Sequence, residues 1–175
     1  MTRTARLARA AAVPLGALLL AAPGGAADGS TATTLDVRAR FPKEVAAVDR
    51  GTKIRVLLPR ALPADETVRR LYLTGFHHPD RWSLTIAAAP RCGTSTACFV
   101  ASFEGRRGVL VARSNVRLPG GQPARYVPPR CGASCGPATL TFVVGDVVYE
   151  WRVKDPPAGG AKALSRLAGA AIARR

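Results

Sequence analysis

Apolar and polar residues alternate along most of this chain, with helical spacing at two places. Phe41 to Val48 predicts a short helix, with Pro42 in its first turn and Val45 and Val48 on one side. Ile54, Val56 and Leu58 alternate with Arg55 and Leu57, a strand pattern stopped by Pro59 and Pro63. Leu71 and Leu73 share a face opposite Tyr72, and His77-His78-Pro79-Asp80 reads as the turn that follows. Trp82, Leu84 and Ile86 alternate with Ser83 and Thr85. Phe99 to Phe103 predicts the next strand, ended by a turn over Gly105 to Gly108. Val109 to Val111, Val116 to Leu118 and Ala124 to Val127 are shorter apolar runs, the second closed by Pro119-Gly120-Gly121.

The clearest unit comes late. Leu140, Phe142 and Val144 alternate with Thr141 and Val143, and Val147, Tyr149 and Trp151 alternate with Val148, Glu150 and Arg152. Gly145-Asp146 between them is the glycine-first signal of a type II′ hairpin. Beyond Asp155-Pro156-Pro157, Leu164, Leu167, Ala168, Ala171 and Ile172 form one apolar stripe of a helix. Lys162 and Arg166 point away from it, and Arg174-Arg175 suit the negative end of the helix dipole. The stripe has three large residues and no aromatic anchor, which favours packing on a sheet over lying on a membrane. The pattern predicts an α+β fold: an antiparallel sheet of about six to eight strands with a C-terminal helix packed on one face.

The N-terminus follows another rule. Arg3, Arg6 and Arg9 precede a small-to-apolar run from Ala10 to Ala22, and Pro23-Gly24-Gly25-Ala26-Ala27 offers small residues for cleavage. The run carries Pro14 and Gly16 and is shorter than the ~20 residues that span a bilayer, so residues 1–27 read as a secretory signal. The expected organisation is a signal at 1–27, a flexible leader at 28–40 and a single α+β domain at 41–175, exported to the periplasm or the outside. No transmembrane anchor is expected in the mature chain.

Cysteine usage agrees with export. Four thiols, Cys92, Cys98, Cys131 and Cys135, read in an oxidising compartment as two disulfides with three possible connectivities. The local pairs, each closing a short loop with small residues, are the favoured ones. Zinc spacing and the Cys-x-x-Cys redox arrangement are both missing, so no metal site or cofactor is expected.

Several of these stretches together carry a likeness. They are Val56-Leu57-Leu58-Pro59 with Leu62-Pro63, Cys92 with Ala97-Cys98, Val116-Arg117-Leu118 before a glycine turn, and Tyr126 ahead of Cys131-Gly132-Ala133-Ser134-Cys135. With the Leu140 to Trp151 hairpin and the alanine-rich last helix, the chain resembles an uncharacterised family of small exported bacterial proteins. The resemblance covers roughly 51–175. It implies an antiparallel sheet, local disulfides at loop ends and a C-terminal helix on one face, and it implies no activity. One departure is Phe142, where such hairpins often carry Trp.

Candidate chemistry is sparse. No serine sits in a Gly-x-Ser-x-Gly elbow, and no phosphate loop, dinucleotide fingerprint or calcium loop occurs. His78-Pro79-Asp80 has residue types for acid–base work, but they are also those of an ordinary turn. Glu150, flanked by Tyr149 and Trp151, is expected to face solvent or an arginine. No catalytic residue is assigned, and the chain does not read as an enzyme.

Charge is the remaining pointer. The 26 basic side chains exceed the 11 acidic ones, for a formal net charge of +15, and loss of the signal's three arginines leaves +12. Arg38, Arg55, Arg60, Arg81, Arg106, Arg117, Arg125 and others are dispersed, many alternating with apolar residues. One reading is a cationic face for an anionic envelope component, a lipid headgroup or a lipopolysaccharide-type or teichoic-acid-type polymer. Another is arginine use set by genome composition. Nucleic acid is an unfavoured partner, since stacking aromatics are scarce. The expected role is a non-enzymatic binding module for an anionic envelope component. The alternative is a structural or assembly partner that docks another envelope protein through a sheet face or edge.

Overall fold

The computed structural model describes residues 34–63, 70–92, 96–109, 113–132 and 135–174. The expected signal at 1–27, the first part of the leader at 28–33, and Leu110 and Val111 of one expected strand lie outside these.

A short strand, β1 (Thr34–Leu35), leads into one helical turn, α1 (Val37–Arg40). Asp36 caps it, accepting from the Arg38 and Ala39 amides at 3.0 and 3.1 Å. Leu35 and Val37 are buried. The flexible leader expected over 28–40 is therefore corrected: from Thr34 the chain is packed, held by these two apolar side chains. The next helix, α2 (Pro42–Gly51), forms as expected, with Pro42 at its start and Val45 and Val48 buried.

The strand expected over 54–58 does not form. Ile54, Val56, Leu57 and Leu58 are all buried and the run pairs with no neighbour, so it is an extended strap. Alternation predicted one wet face; here Leu57 is as buried as its neighbours. The strap ends at β2 (Leu62–Pro63), which pairs antiparallel with β1.

The remaining strands are β3 (Tyr72–His78), β4 (Arg81–Ala87), β5 (Phe99–Arg107), β6 (Val116–Arg117), β7 (Pro123–Val127), β8 (Arg130–Cys131), β9 (Cys135–Gly136), β10 (Ala138–Val144) and β11 (Val147–Val153). Helix α3 (Gly160–Ala173) closes the chain. Seven strands make one antiparallel sheet in the order β3-β4-β5-β11-β10-β7-β6, while β8 and β9 form a separate small ribbon. The expected α+β architecture, antiparallel sheet plus C-terminal helix, is present.

Two local expectations change. His77 and His78 belong to β3, and only Pro79 and Asp80 make the turn. Gly105 is not a turn residue but lies inside β5, opposite both Trp82 and Tyr149. A side chain there would collide with Trp82, because a Cβ would stand 2.5 Å from the indole nitrogen. Glycine thus lets Trp82 lean across β5 toward Tyr149, with ring centroids 6.4 Å apart. The β10–β11 hairpin matches its signal: Gly145 has φ +62° and no residue other than glycine has positive φ among those described.

The register puts Leu84, Phe103, Trp151 and Leu140 in one row, and Trp82, Gly105, Tyr149 and Phe142 in the next. These rows form the buried face. Phe142 stacks on Tyr149 at 5.4 Å, and Trp151 meets Phe142 and Phe103 edge-on at 5.6 and 5.7 Å. On this face α2 packs against β3, α3 packs against β10 and β6, and the strap is bonded to Tyr149 of the sheet and to the end of α3. The opposite face is left without a helix among the described residues. None of the described helices is long and apolar enough to cross a membrane.

Candidate functional site

The cysteines form the local pairs, Cys92 with Cys98 and Cys131 with Cys135. The second bridge ties the two ends of the β8–β9 ribbon, and the first borders a largely apolar cleft of about 500 Å³ that also touches Leu35, Leu71, Phe99 and Val153. His78 and Asp80 pair across Pro79 on the exposed end of the first hairpin. That contact holds the Asp80 carboxyl below its usual value, while both side chains stay more than half exposed.

Two groups of arginines stand out from others spread over the described surface. Arg81, Arg106, Arg125 and Arg152 fall on the open face of the sheet. At its centre Glu104 and Glu150 are direct cross-strand partners, in a row with Ser83 and Thr141. Burial first, and then the Glu150 charge, push the Glu104 carboxyl above the ordinary range; Arg152 and Arg106 offset part of this. Glu150, expected to face solvent or an arginine, thus has another carboxylate as its cross-strand partner. Aromatic rings hold two of these arginines in place, since Arg81 lies 5.2 Å over Phe76 and Arg152 lies 5.8 Å over Phe99.

The second group is more concentrated. Beside the strap, a cleft of about 550 Å³ is lined by Arg38, Lys53, Arg55, Arg60 and Arg174, with Asp49 as its acidic member. The basic groups come from three parts of the chain: Arg38 from α1, Lys53, Arg55 and Arg60 from the strap and its flanks, and Arg174 from the end of α3. Arg38 comes from α1 and ion-pairs with Asp49 of α2, while its other nitrogen donates to the Val56 carbonyl at 3.2 Å. Arg55, on the strap, donates to the Ile172 and Ala171 carbonyls at 3.2 and 3.4 Å, satisfying the last turn of α3. The strap is in turn fixed from the sheet, where the Tyr149 hydroxyl donates to the Arg55 carbonyl at 3.0 Å. Arg174 follows α3 and donates through Nε to Ala170 at 3.1 Å.

Two cations are less committed. Arg60 approaches Asp36 at 3.8 Å through Nε, beyond hydrogen-bond reach, and Lys53 makes no side-chain hydrogen bond or ion pair to a described residue. Burial and neighbouring like charges both act on Arg174. Its guanidinium falls below the usual arginine value through burial and through the charges of Arg60, Arg38 and Arg55, with Asp36 opposing them.

Sequence reasoning treated Arg174 only as a dipole partner and singled out neither Lys53 nor the cleft. No local signal marks it, because its members span 38 to 174 and meet only when α1, the strap and α3 pack. The chain matches no protein-family model, and no curated protein or solved structure shows significant similarity to it.

Proposed function

We propose that this protein acts in the periplasm or outside the cell as a non-enzymatic module that binds an anionic envelope component through the cleft beside the strap. The observation that supports this most is the meeting of five basic side chains from three parts of the chain, α1, the strap and the end of α3, on one concavity, against a single lining carboxylate. Chance arginine enrichment spreads charge; this arrangement concentrates it where a ligand can be enclosed. The two short-range disulfides and the signal-like N-terminus agree with an oxidising destination. Family membership among small exported bacterial proteins belongs to the same proposal.

The test is retention of the exported protein on anionic vesicles across a salt series. Binding that falls steeply as salt rises supports the reading. Absence of salt-sensitive retention on anionic vesicles and polymers alike refutes it. A second reading, docking of another envelope protein, draws on the helix-free sheet face and on edge strand β3, where Phe76 is 49% exposed. Association of that kind through apolar contacts would persist at high salt.

A further inference from the structure

Within the cleft the basic groups differ in what they have left to give. Both terminal nitrogens of Arg38 are engaged, by Asp49 and Val56, and both of Arg55 are engaged by the end of α3. These two build the walls. Lys53, the terminal nitrogens of Arg60 and those of Arg174 have no partner among the described residues. Three cationic groups with donors uncommitted among the described residues therefore face one concavity, and Asp36 offsets only part of the charge on Arg60.

An anion that carries one charge leaves most of this uncompensated. A phosphomonoester brings roughly 1.5 to 2 negative charges at neutral pH and three acceptor oxygens. Guanidinium groups meet such oxygens in pairs, and an ammonium adds a point charge. A volume of about 550 Å³ is also that of a small-molecule site, one that encloses a terminal group more readily than it threads a polymer.

We infer that the cleft recognises a terminal phosphate, as a phosphomonoester or a diphosphate, held by Lys53, Arg60 and Arg174. This rests on the anion-binding reading above and narrows it. Phosphodiesters and carboxylates, the commoner envelope anions, are then weak ligands.

The experiment uses the purified exported protein with vesicles of matched surface charge. One set carries phosphatidic acid, a phosphomonoester, and the other phosphatidylglycerol, a phosphodiester; inorganic pyrophosphate is the soluble probe. The expected result is about tenfold tighter retention on phosphatidic acid, reversed by pyrophosphate, with Arg60→Gln and Lys53→Gln each removing most of the preference. Lys43→Gln, on exposed α2, makes the same change in net charge and should leave it intact. Pyrophosphate binding without vesicle retention would support the phosphate assignment with a soluble source. Equal, salt-sensitive retention on both lipids would overturn it while the anion-binding reading survives, as would a preference indifferent to Arg60 and Lys53. Failure of vesicles and pyrophosphate alike would overturn both. Pyrophosphate competition on the unaltered chain tests the assignment even if a variant folds poorly.

Discussion

The Tyr149 hydroxyl donates to the Arg55 main-chain carbonyl at 3.0 Å, joining the centre of the sheet to the strap that carries the cleft. The bond reaches past the core from β11 to a run that has no ladder of its own, so it fixes where the Arg55 side chain begins. From there the guanidinium spans to the end of α3. Sheet, strap and last helix are thus connected through one residue.

Tyr149→Phe should therefore cost about 1–2 kcal/mol, because it leaves the Arg55 carbonyl without its donor. It should also show in alkali. Burial pushes the Tyr149 hydroxyl up to about 12, so the folded state keeps a proton that the unfolded chain loses near its ordinary value of about 10. Stability from this group is complete below the unfolded value and is lost as pH rises through the folded one. Denaturant melts between neutral pH and the alkaline limit should fall more steeply for the native protein than for Tyr149→Phe. Parallel curves would show that another group governs alkaline unfolding.

Glu104 has the same sign of shift at the acidic end. Its carboxyl is raised by burial and by Glu150 opposite it, so the folded state binds a proton more readily than the unfolded chain. The stabilising contribution is present below the ordinary carboxyl value and disappears as pH climbs through the raised one. Glu104→Gln should raise the melting temperature at neutral pH and give little gain near pH 4. Glu150→Gln should do the same by removing the facing charge, and the double variant should gain less than the sum. A lower melting temperature at neutral pH in both single variants would mean that the pair stabilises the face through Arg106 and Arg152.

Much of the fold was legible because one face of the sheet is dry and the other is wet. Trp82, Leu84 and Ile86 alternate with half-exposed Ser83 and Thr85, and β10 and β11 are separated by a glycine-first turn. Legibility failed where a residue's role depends on a distant neighbour. Gly105 has the local character of a turn, yet its smallness serves the Trp82 indole on the next strand. The strap imitates a strand because apolar residues bury on both of its sides, which sequence periodicity does not distinguish from pairing. The cleft is harder still: Arg38, Lys53, Arg60 and Arg174 are ordinary surface cations until α1 and α3 bring them together.

Gly105→Ala tests the first of those cases. The added methyl would stand 2.5 and 2.8 Å from two indole atoms of Trp82, neither of them the end of a flexible chain. The ring must tilt away from Tyr149 or β5 must shift, an overpacking change that costs about 1–3 kcal/mol. Loss of stability with an altered near-ultraviolet circular dichroism band is the expected outcome. Pairing the change with Trp82→Phe, which removes the colliding atoms, should make it milder. If the two substitutions simply add, the contact is not the cause.

Ser165 offers a change in the opposite direction. It sits on α3, 5% exposed, and its hydroxyl has no hydrogen-bond partner among the described residues. Burying an unsatisfied hydroxyl is costly, and serine is a poorer helix former than alanine. Ser165→Ala removes both penalties and leaves only a small void, so it should stabilise the fold by about 1 kcal/mol. The helix ends where Arg55 holds its last carbonyls, so a firmer α3 also firms the wall of the cleft. Urea midpoints for the two proteins decide it. A lower midpoint for Ser165→Ala would mean that the hydroxyl has a partner after all, with an ordered water the first to look for.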